Sequence, residues 1–522
     1  MRERLVLLAL SAMAASACMV GPEYQKPPAT LADAWIETAG AVQTGPNVDY
    51  AQWWRTFGDP TLDTLIERAY EQNLPLEVAG LRVLEAIARR GVAIGQLYPQ
   101  QQEAGLSYQR SSSSLNTAQF TPFLNPSFDA WALTPLAAGW EIDLWGRYRR
   151  GVETADADLM GSLFKYQDVL VSLAAEVATA YVQIRTLQEQ LEVAVRNARL
   201  QERSVEIVRT RFDLGAVTEL DLAQAQSLLH DTQARIPEVR AALRQAQDRL
   251  CVLLGLPPRD LDAMLAGPRV IPSSPPEVVV GLPAELLRGR PDVRRAERQM
   301  AAQSAQIGIA ASDFYPRLQL VGNLSFEAED FGEMFQGSSF AAFGGPSFRW
   351  AILNYGRIVN NVRVQDALFQ QQVRLYEDTV LRAQQEVQDA IAGYLGAQQQ
   401  VRFLEKAATD SMRAVDLSEL QYREGATDYT RVLLSQQFLL EAESRLVSTR
   451  GAVALNLVSL HRSLGGGWQF HQGEAFIRPE TRDQMAERVH WGDLLETEED
   501  YDDIDAADES EQKSFRWWWP EW

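Results

Sequence analysis

Apolar positions in this chain follow two rhythms, and the order in which the rhythms appear occurs twice. From Tyr148 to Leu214 one series of apolar residues falls at Leu159, Leu163, Tyr166, Leu170, Leu173, Val177, Tyr181, Ile184, Leu187 and Leu191. Their mean spacing of about 3.5 residues is the repeat of helices that pack side by side along a seam. At 1.5 Å per residue such a helix spans about 100 Å. Gly215 stops it, and a return helix over Thr218–Leu254 follows at once. Arg357–Glu424, Gly425 and Asp428–Leu464 repeat the arrangement. The pattern predicts two antiparallel helical hairpins, too long for a globular core, whose apolar seams need lateral neighbours.

Ahead of each long helix the rhythm shortens to two residues. Leu318, Leu320, Leu324 and Phe326 alternate with Gln319, Asn323 and Ser325, and Leu106 and Tyr108 alternate with Ser107 and Gln109. Turn-forming stretches follow (Ser111–Asn116 and Gly337–Ser339), then aromatic-rich second strands through Phe128–Trp140 and Phe340–Trp350. Each copy thus supplies two strands, four in the chain, with one apolar and one polar face, as in a membrane barrel with a wet lumen. Earlier still, helical segments run from Asp59-Pro60 to Tyr98 and from Pro291 to Tyr315. Asp59 is a capping side chain before proline at the first helical position. Pro99 and Pro316 end these helices, because proline donates no N–H and pushes its predecessor toward extended geometry. Together with Gly146 and Gly356 they mark the strand–helix junctions.

The two copies align residue by residue. Arg211-Phe212-Asp213-Leu214-Gly215-Ala216 returns as Gln421-Tyr422-Arg423-Glu424-Gly425-Ala426, an offset of 210 that also relates Gln226 to Gln436 and Trp140 to Trp350. Tyr98-Pro99 matches Tyr315-Pro316 at an offset of 217, so seven residues are lost between Pro and Trp in the second copy, as happens in a loop. The expected domains are a signal peptide (1–17), a lipid-anchored N-terminal extension (18–58), repeat 1 (59–255), a proline-rich linker (256–290), repeat 2 (291–467) and an acidic, disordered tail (468–522). The fold class is mainly α with membrane β, internally duplicated.

Arg2 and Arg4 precede the apolar run Leu5–Ala15, and Ala15, Ser16 and Ala17 lead into Cys18, the layout of a secretory signal peptide. Ala15-Ser16-Ala17-Cys18 also has the form of a bacterial lipobox, in which cleavage leaves the cysteine first and its thiol carries lipid. The plainer alternative is a cleavage site that happens to adjoin a cysteine. Acylation would anchor the chain firmly, at roughly 0.8 kcal/mol per buried methylene. Met19 stands where an Asp would favour inner-membrane retention, which points to the outer membrane. No later segment approaches the roughly 20 apolar residues of a transmembrane helix.

The net charge of −21 argues against a nucleic-acid partner, which needs a basic face. The stretch 470–522 holds 16 acidic and 5 basic residues, and Asp493–Glu511 has the composition of a disordered segment. The terminal Phe515–Trp522 is either a loose end or an aromatic anchor. No enzyme, metal site or cofactor is visible. His230, His461, His471 and His490 lack ligand spacing, and Cys251 lies in an apolar helical run as a packed small hydrophobe. Glu141 and Asp143 imitate a glycosidase pair, but the second copy has Ala351 and Leu353 at the matching positions.

Four strands cannot close a membrane barrel, so at least two chains must share one. Cys18-Met19-Val20-Gly21-Pro22-Glu23-Tyr24 with Pro27, Trp53-Trp54-Arg55-Thr56-Phe57-Gly58-Asp59-Pro60 and Trp140-Glu141-Ile142-Asp143-Leu144-Trp145-Gly146-Arg147 resemble the TolC-like outer-membrane efflux factors, nearest their NodT-type lipoprotein subgroup. The resemblance covers roughly residues 18–467 and leaves out the tail. It implies a homotrimer whose four strands per protomer form a 12-stranded β-barrel continued by a 12-helix periplasmic α-barrel. It implies a covalent lipid such as palmitate on Cys18, residence in the outer membrane, and docking to a periplasmic adaptor (membrane fusion protein) and an inner-membrane RND-type pump. The function implied is the passive exit of small molecules. A protein-secretion duct and a pore-free coiled-coil lipoprotein are the alternatives; the alternating strands argue against the last.

The tips carry the candidate site. In an assembly each charged tip residue recurs as a ring: Arg211, Asp213, Glu219 and Asp221 beside Gly215, and Tyr422, Arg423, Glu424, Asp428 and Tyr429 beside Gly425. Carboxylate rings favour cations and can be latched by arginine. The structural alternative is that Thr218 with Asp221, and Thr427 or Asp428, simply cap the return helices.

Overall fold

The computed structural model describes residues 19–36, 42–45, 49–112, 114, 127–273, 275, 278–281, 283, 289–471 and 473–495. Cys18 and the tryptophan-rich end, residues 496–522, therefore lie outside the described residues. Along the first half run β1 (Val42–Thr44), α1 (Pro60–Gln72), α2 (Leu74–Gly95), β2 (Gln101–Ser112), β3 (Ser127–Ile142), α3 (Arg147–Asp213) and α4 (Glu219–Leu253). The second half has β4 (Val278–Val280), α5 (Pro291–Ser312), β5 (Arg317–Ala328), β6 (Phe340–Arg349), α6 (Arg357–Arg423), α7 (Tyr429–Ser463) and α8 (Pro479–Arg488). They divide between two compact units, one from residues up to 28, 85–162 and 295–377, the other from 29–84, 163–294 and 378 onward.

The first unit is organised around an antiparallel sheet in the order β2-β3-β5-β6. The two copies meet at β3 and β5, where Trp140 lies opposite Leu320 and Ile142 opposite Leu318. β3 slips register against both neighbours around Pro135, because proline offers no N–H to the ladder and is tolerated within a sheet at bulges. Each helix before a first strand ends short of its proline. α2 and α5 stop at Gly95 and Ser312, and residues 96–98 and 313–315 tighten into i→i+3 bonds before Pro99 and Pro316. Trp140 Nε1 donates to Leu97 O at 3.1 Å, and its counterpart Trp350 Nε1 donates to Phe314 O at 3.0 Å. Gly146 and Gly356 both turn the chain at φ 78°.

The start of the extension is threaded into this junction. Val20 N–H donates to Trp145 O, and Gly21 (φ 97°) crosses Gly308 so closely that a Cβ on Gly21 would lie 2.4 Å from the Gly308 Cα. Arg150, whose side chain is wholly buried, donates to Val20 O, to Glu23 at 2.8 Å and to Glu153 at 2.7 Å. A guanidinium in that setting is tolerated because its donors meet charged acceptors.

The hairpins, which include most of α3 and α6 and all of α4 and α7 in the second unit, have matched lengths: α3 and α6 are 67 residues each, α4 and α7 are 35 each. Gly451 of α7 presses on Thr186 of α3, where a Cβ would come within 2.5 Å of the threonine hydroxyl. The single helix expected from Asp59 to Tyr98 is interrupted at Asn73. Pro75 cannot donate to a carbonyl one turn back, so the first helix ends and Asn73 Oδ1 caps the next by accepting from Leu76 N–H at 2.9 Å. Asp59 caps α1 as the sequence predicts, accepting from Thr61 N–H at 3.0 Å. A 3₁₀ turn at Trp53–Phe57, closed by Gly58 at φ 61°, sinks Trp53 and Trp54 into the core. Trp54 meets Tyr70 and Phe470 edge-on, while Trp53 stacks on His461 with ring centroids 5.1 Å apart.

The tail differs from expectation. Residues 468–471 and 473–495 are folded: Trp468–His471 and Gly492–Leu495 form 3₁₀ turns on either side of α8. Arg478 Nε donates to Glu77 Oε2 at 2.9 Å, and the Thr481 hydroxyl donates to the other carboxylate oxygen. Burial pushes Glu77 up, but these bonds outweigh it and hold the carboxyl below its usual range. The Phe476 backbone lies against Gly80, and Ile477 and Met485 are buried. Averaging the tail as one acidic block hides this apolar stretch, since acids dominate only beyond it. Among the described residues no helix is long and apolar enough to cross a membrane.

His461 is buried, and desolvation pushes its imidazole down from 6.5 to about 4. Its folded pKa lies below the unfolded value, so the stability it contributes is complete above pH 6.5 and lost as pH falls toward about 4. His461→Phe, which keeps the stack on Trp53, is expected to flatten this part of the acid-destabilisation curve. The effect should be on the order of 3 kcal/mol at most. Denaturant melts at pH 7 and pH 4.5 measure it, and parallel pH dependences in the two proteins would refute it.

Candidate gate at the hairpin tips

Both hairpins turn by the same device. α3 runs into Gly215 (φ 71°), whose N–H bonds Phe212 O, while Ala216 N–H bonds Arg211 O. α6 runs into Gly425 (φ 74°), with Gly425 N–H to Tyr422 O and Ala426 N–H to Gln421 O. This pair of bonds satisfies the last carbonyls of a helix and requires a left-handed residue, which glycine adopts without strain.

The return helices begin differently in the two copies. α4 has a reciprocal capping box: Asp221 N–H donates to the Thr218 hydroxyl, and Thr218 N–H donates to the Asp221 carboxylate at 3.0 Å. α7 has Asp428 alone, accepting from Arg431 N–H at 3.4 Å. Thr427 does not cap it.

Between the tips lies a small core of Val208, Ala225, Tyr422, Tyr429 and Val432. The two tyrosine rings meet edge-on, 5.6 Å apart, and burial pushes both hydroxyls above their ordinary range. Arg211 binds the first hairpin to the second. Its guanidinium lies 4.5 Å from the Tyr422 ring centroid and donates to Arg423 O at 2.7 Å. Arg423 does not reach Asp428 within the chain; its charge partner is Glu419, at 3.7 Å. Asp213, Glu219 and Glu424 are exposed. One turn above, the fully buried Gln436 donates to Ser204 Oγ at 2.6 Å and to Glu419 at 3.1 Å. Ser204 and Glu419 escaped notice in the sequence; the shared glutamine at 226 and 436 was the available signal. Cys251 is buried, and among the described residues no group of His, Cys, Asp or Glu could hold a metal ion.

The sequence matches the family model described as outer membrane efflux protein over residues 65–256 and 282–466. The chain belongs to that family. It is 31% identical to the pyoverdine export outer membrane protein OpmQ of Pseudomonas putida, over 83% of this chain and 91% of that protein. Nodulation protein T of Rhizobium leguminosarum bv. trifolii is 27% identical over 87% of this chain and 95% of its own length. The solved outer-membrane channel OprN superimposes with a TM-score of 0.80 at 32% identity, covering 87% of this chain and 100% of that one. As an outer membrane efflux protein, the chain is a channel component of an efflux system, placed in the outer membrane with its helical part in the periplasm. The family is one of transport proteins and not of enzymes. The family match stops at residue 466, so α8 and the acidic tail lie beyond it.

Within this efflux protein the capping reading of Thr218, Asp221 and Asp428 has direct geometry behind it. Thr218→Ala removes the side chain that receives Asp221 N–H and is expected to cost about 1 kcal/mol. The loss should be local, seen as faster amide exchange over the first turn of α4 and none in α7. Unchanged exchange at residues 219–222 would refute the capping role.

Proposed function

We propose that three copies of the chain form one 12-stranded barrel continued by a 12-helix tunnel, the passive exit duct of a tripartite system. A periplasmic adaptor and an inner-membrane RND-type pump would deliver small molecules to it. The observation that carries this reading is the four-stranded sheet with open edges at β2 and β6, which a lipid environment tolerates only if other copies continue the ladder. Relatives named for pyoverdine export, cation efflux and antibiotic efflux have no cargo chemistry in common, which supports a duct that leaves selection to the pump.

The tip residues are its gate. Arg211 ties the two tips of one copy together, so Arg211→Ser with Arg423→Ser should loosen them and raise single-channel conductance severalfold in a planar bilayer. Asp428 caps α7, and asparagine caps equally well. Asp428→Asn therefore removes the ring of charge without removing the cap, and should weaken block by divalent cations added on the periplasmic side. Unchanged conductance and unchanged block in assembled variants would leave these residues as caps and braces only.

Cys18 carries the lipid. Mass spectrometry of the purified protein should find the mature chain starting at an acylated Cys18, and Cys18→Ser should abolish the added mass. An unmodified thiol there would overturn the anchor. Assembly should survive the substitution, because the barrel itself resides in the bilayer.

A further inference from the structure

The apolar face of the sheet is graded along its length. On β2 and β3 three cross-strand pairs follow one another on that face: Leu106 with Leu133, Tyr108 with Trp131, and Arg110 with Asp129. The Tyr108 hydroxyl donates to Asp129 at 3.0 Å, and Arg110 stands 3.7 Å from the same carboxylate. Apolar, then aromatic, then charged is the order met on passing from hydrocarbon through the interface into water. The charged end is the one remote from the proline junctions that lead to the helices, so it is the outer end of the sheet. Trp140 lies on the same face, nine residues from Trp131. At about 3.3 Å per residue and a tilt of about 40°, that is roughly 23 Å of depth, against about 25 Å for the apolar band between the two aromatic girdles of a barrel.

The connection between β5 and β6 leaves the sheet at this outer end and folds back onto the apolar face. Phe331 sets its ring edge-on against Trp131, with centroids 5.0 Å apart. Phe335 reaches Phe326 at 6.4 Å, and Phe326 meets Phe340 at 5.4 Å. With Phe331 and Phe335 6.4 Å apart, and Tyr108 4.6 Å from Trp131, six rings form an unbroken row from β2 to β6. The strand rings in that row lie on the face opposite Gln319, Asn323 and Ser325, which line the wet side of a barrel. The connection also has a fixed shape. Its two 3₁₀ turns, Phe331–Glu333 and Gly337–Ser339, are tied by the Ser339 hydroxyl donating to Glu333 O at 2.8 Å, and Met334 is fully buried. Phe331 and Phe335 are nevertheless 51% and 68% exposed. An ordered turn that holds two phenylalanines outward in one patch marks a surface that meets something apolar.

We propose that residues 329–339 are a lipid-interface anchor, lying outside the barrel wall at the headgroup level of the outer leaflet and not across the mouth of the duct. The occupant of this surface is lipid, because the row of rings continues the lipid-facing side of the sheet at the aromatic level of its depth profile. Phe331 and Phe335 extend that level where β5 itself offers only Ala328 opposite Trp131. The proposal rests on the shared-barrel reading above, which makes the apolar face the lipid side.

Single cysteines in a Cys251→Ser background test it, each carrying a fluorophore in the assembled protein in phosphatidylcholine vesicles. A label on Phe335→Cys should be quenched at least twofold more by a headgroup nitroxide than by aqueous iodide or by a nitroxide deep in the acyl chains. Leu136→Cys, on the same face at mid-depth, should favour the deep nitroxide, and Gln109→Cys, on the polar face, should favour iodide. Phe331→Ser with Phe335→Ser should leave single-channel conductance unchanged. Quenching at position 335 dominated by iodide, with lipid quenching kept at position 136, would overturn the anchor and leave the barrel reading in place. Conductance raised twofold or more by the double variant would set the connection across the mouth and overturn the anchor too. Loss of lipid quenching at both positions would overturn barrel and anchor together.

Discussion

A backbone N–H or C=O left without a partner in hydrocarbon costs several kcal/mol, and a sheet of four strands has two edges full of them. That cost governs this chain more than any single contact. In the proposed assembly the edges at β2 and β6 are removed when other copies of the chain continue the ladder. The long helices face the same demand in milder form, and most of the α3 seam from Leu159 to Ile184 already meets it by burial within the chain.

The regular parts of the fold were legible because their physics is local. Helix period, a glycine at each turn and a cap before each return helix placed α3, α4, α6 and α7 within a residue of their observed ends. Alternation likewise located the four sheet strands. What escaped was decided by contacts between distant segments. Asn73 breaks a helix because Pro75 follows it, a cue present in the sequence but outvoted by the apolar periodicity around it. The path of residues 19–26 depends on Arg150 and on the Gly21–Gly308 crossing, which no local pattern announces. α8 was masked by the acids that follow it.

The tips were legible in kind and not in pairing. Every charged position proposed there is at the tip, yet the arginine that bridges the hairpins chooses a carbonyl and a ring face over a carboxylate. Arg211 and Arg423 are 212 residues apart, and no local pattern pairs them. One turn above them, Gln436, Ser204 and Glu419 form a buried polar knot. Such a knot loses more when half-broken than an apolar contact does, so it holds the hairpins in one relative register.

The equality of the hairpins carries a consequence for how such a protein can change. The long arms are 67 residues in both copies and the return arms 35 in both, and one offset of 210 relates Trp140–Gly255 to Trp350–Gly465 throughout. One extra residue in a single arm would rotate every later side chain by about 100° and carry its apolar stripe off the seam. Duct length is therefore a stepped quantity. It can grow or shrink only by near-whole repeats of the seam, inserted into outgoing and returning arms together and in both halves of the gene. Change is far cheaper in the strand-connecting loop, where the copies already differ by seven residues.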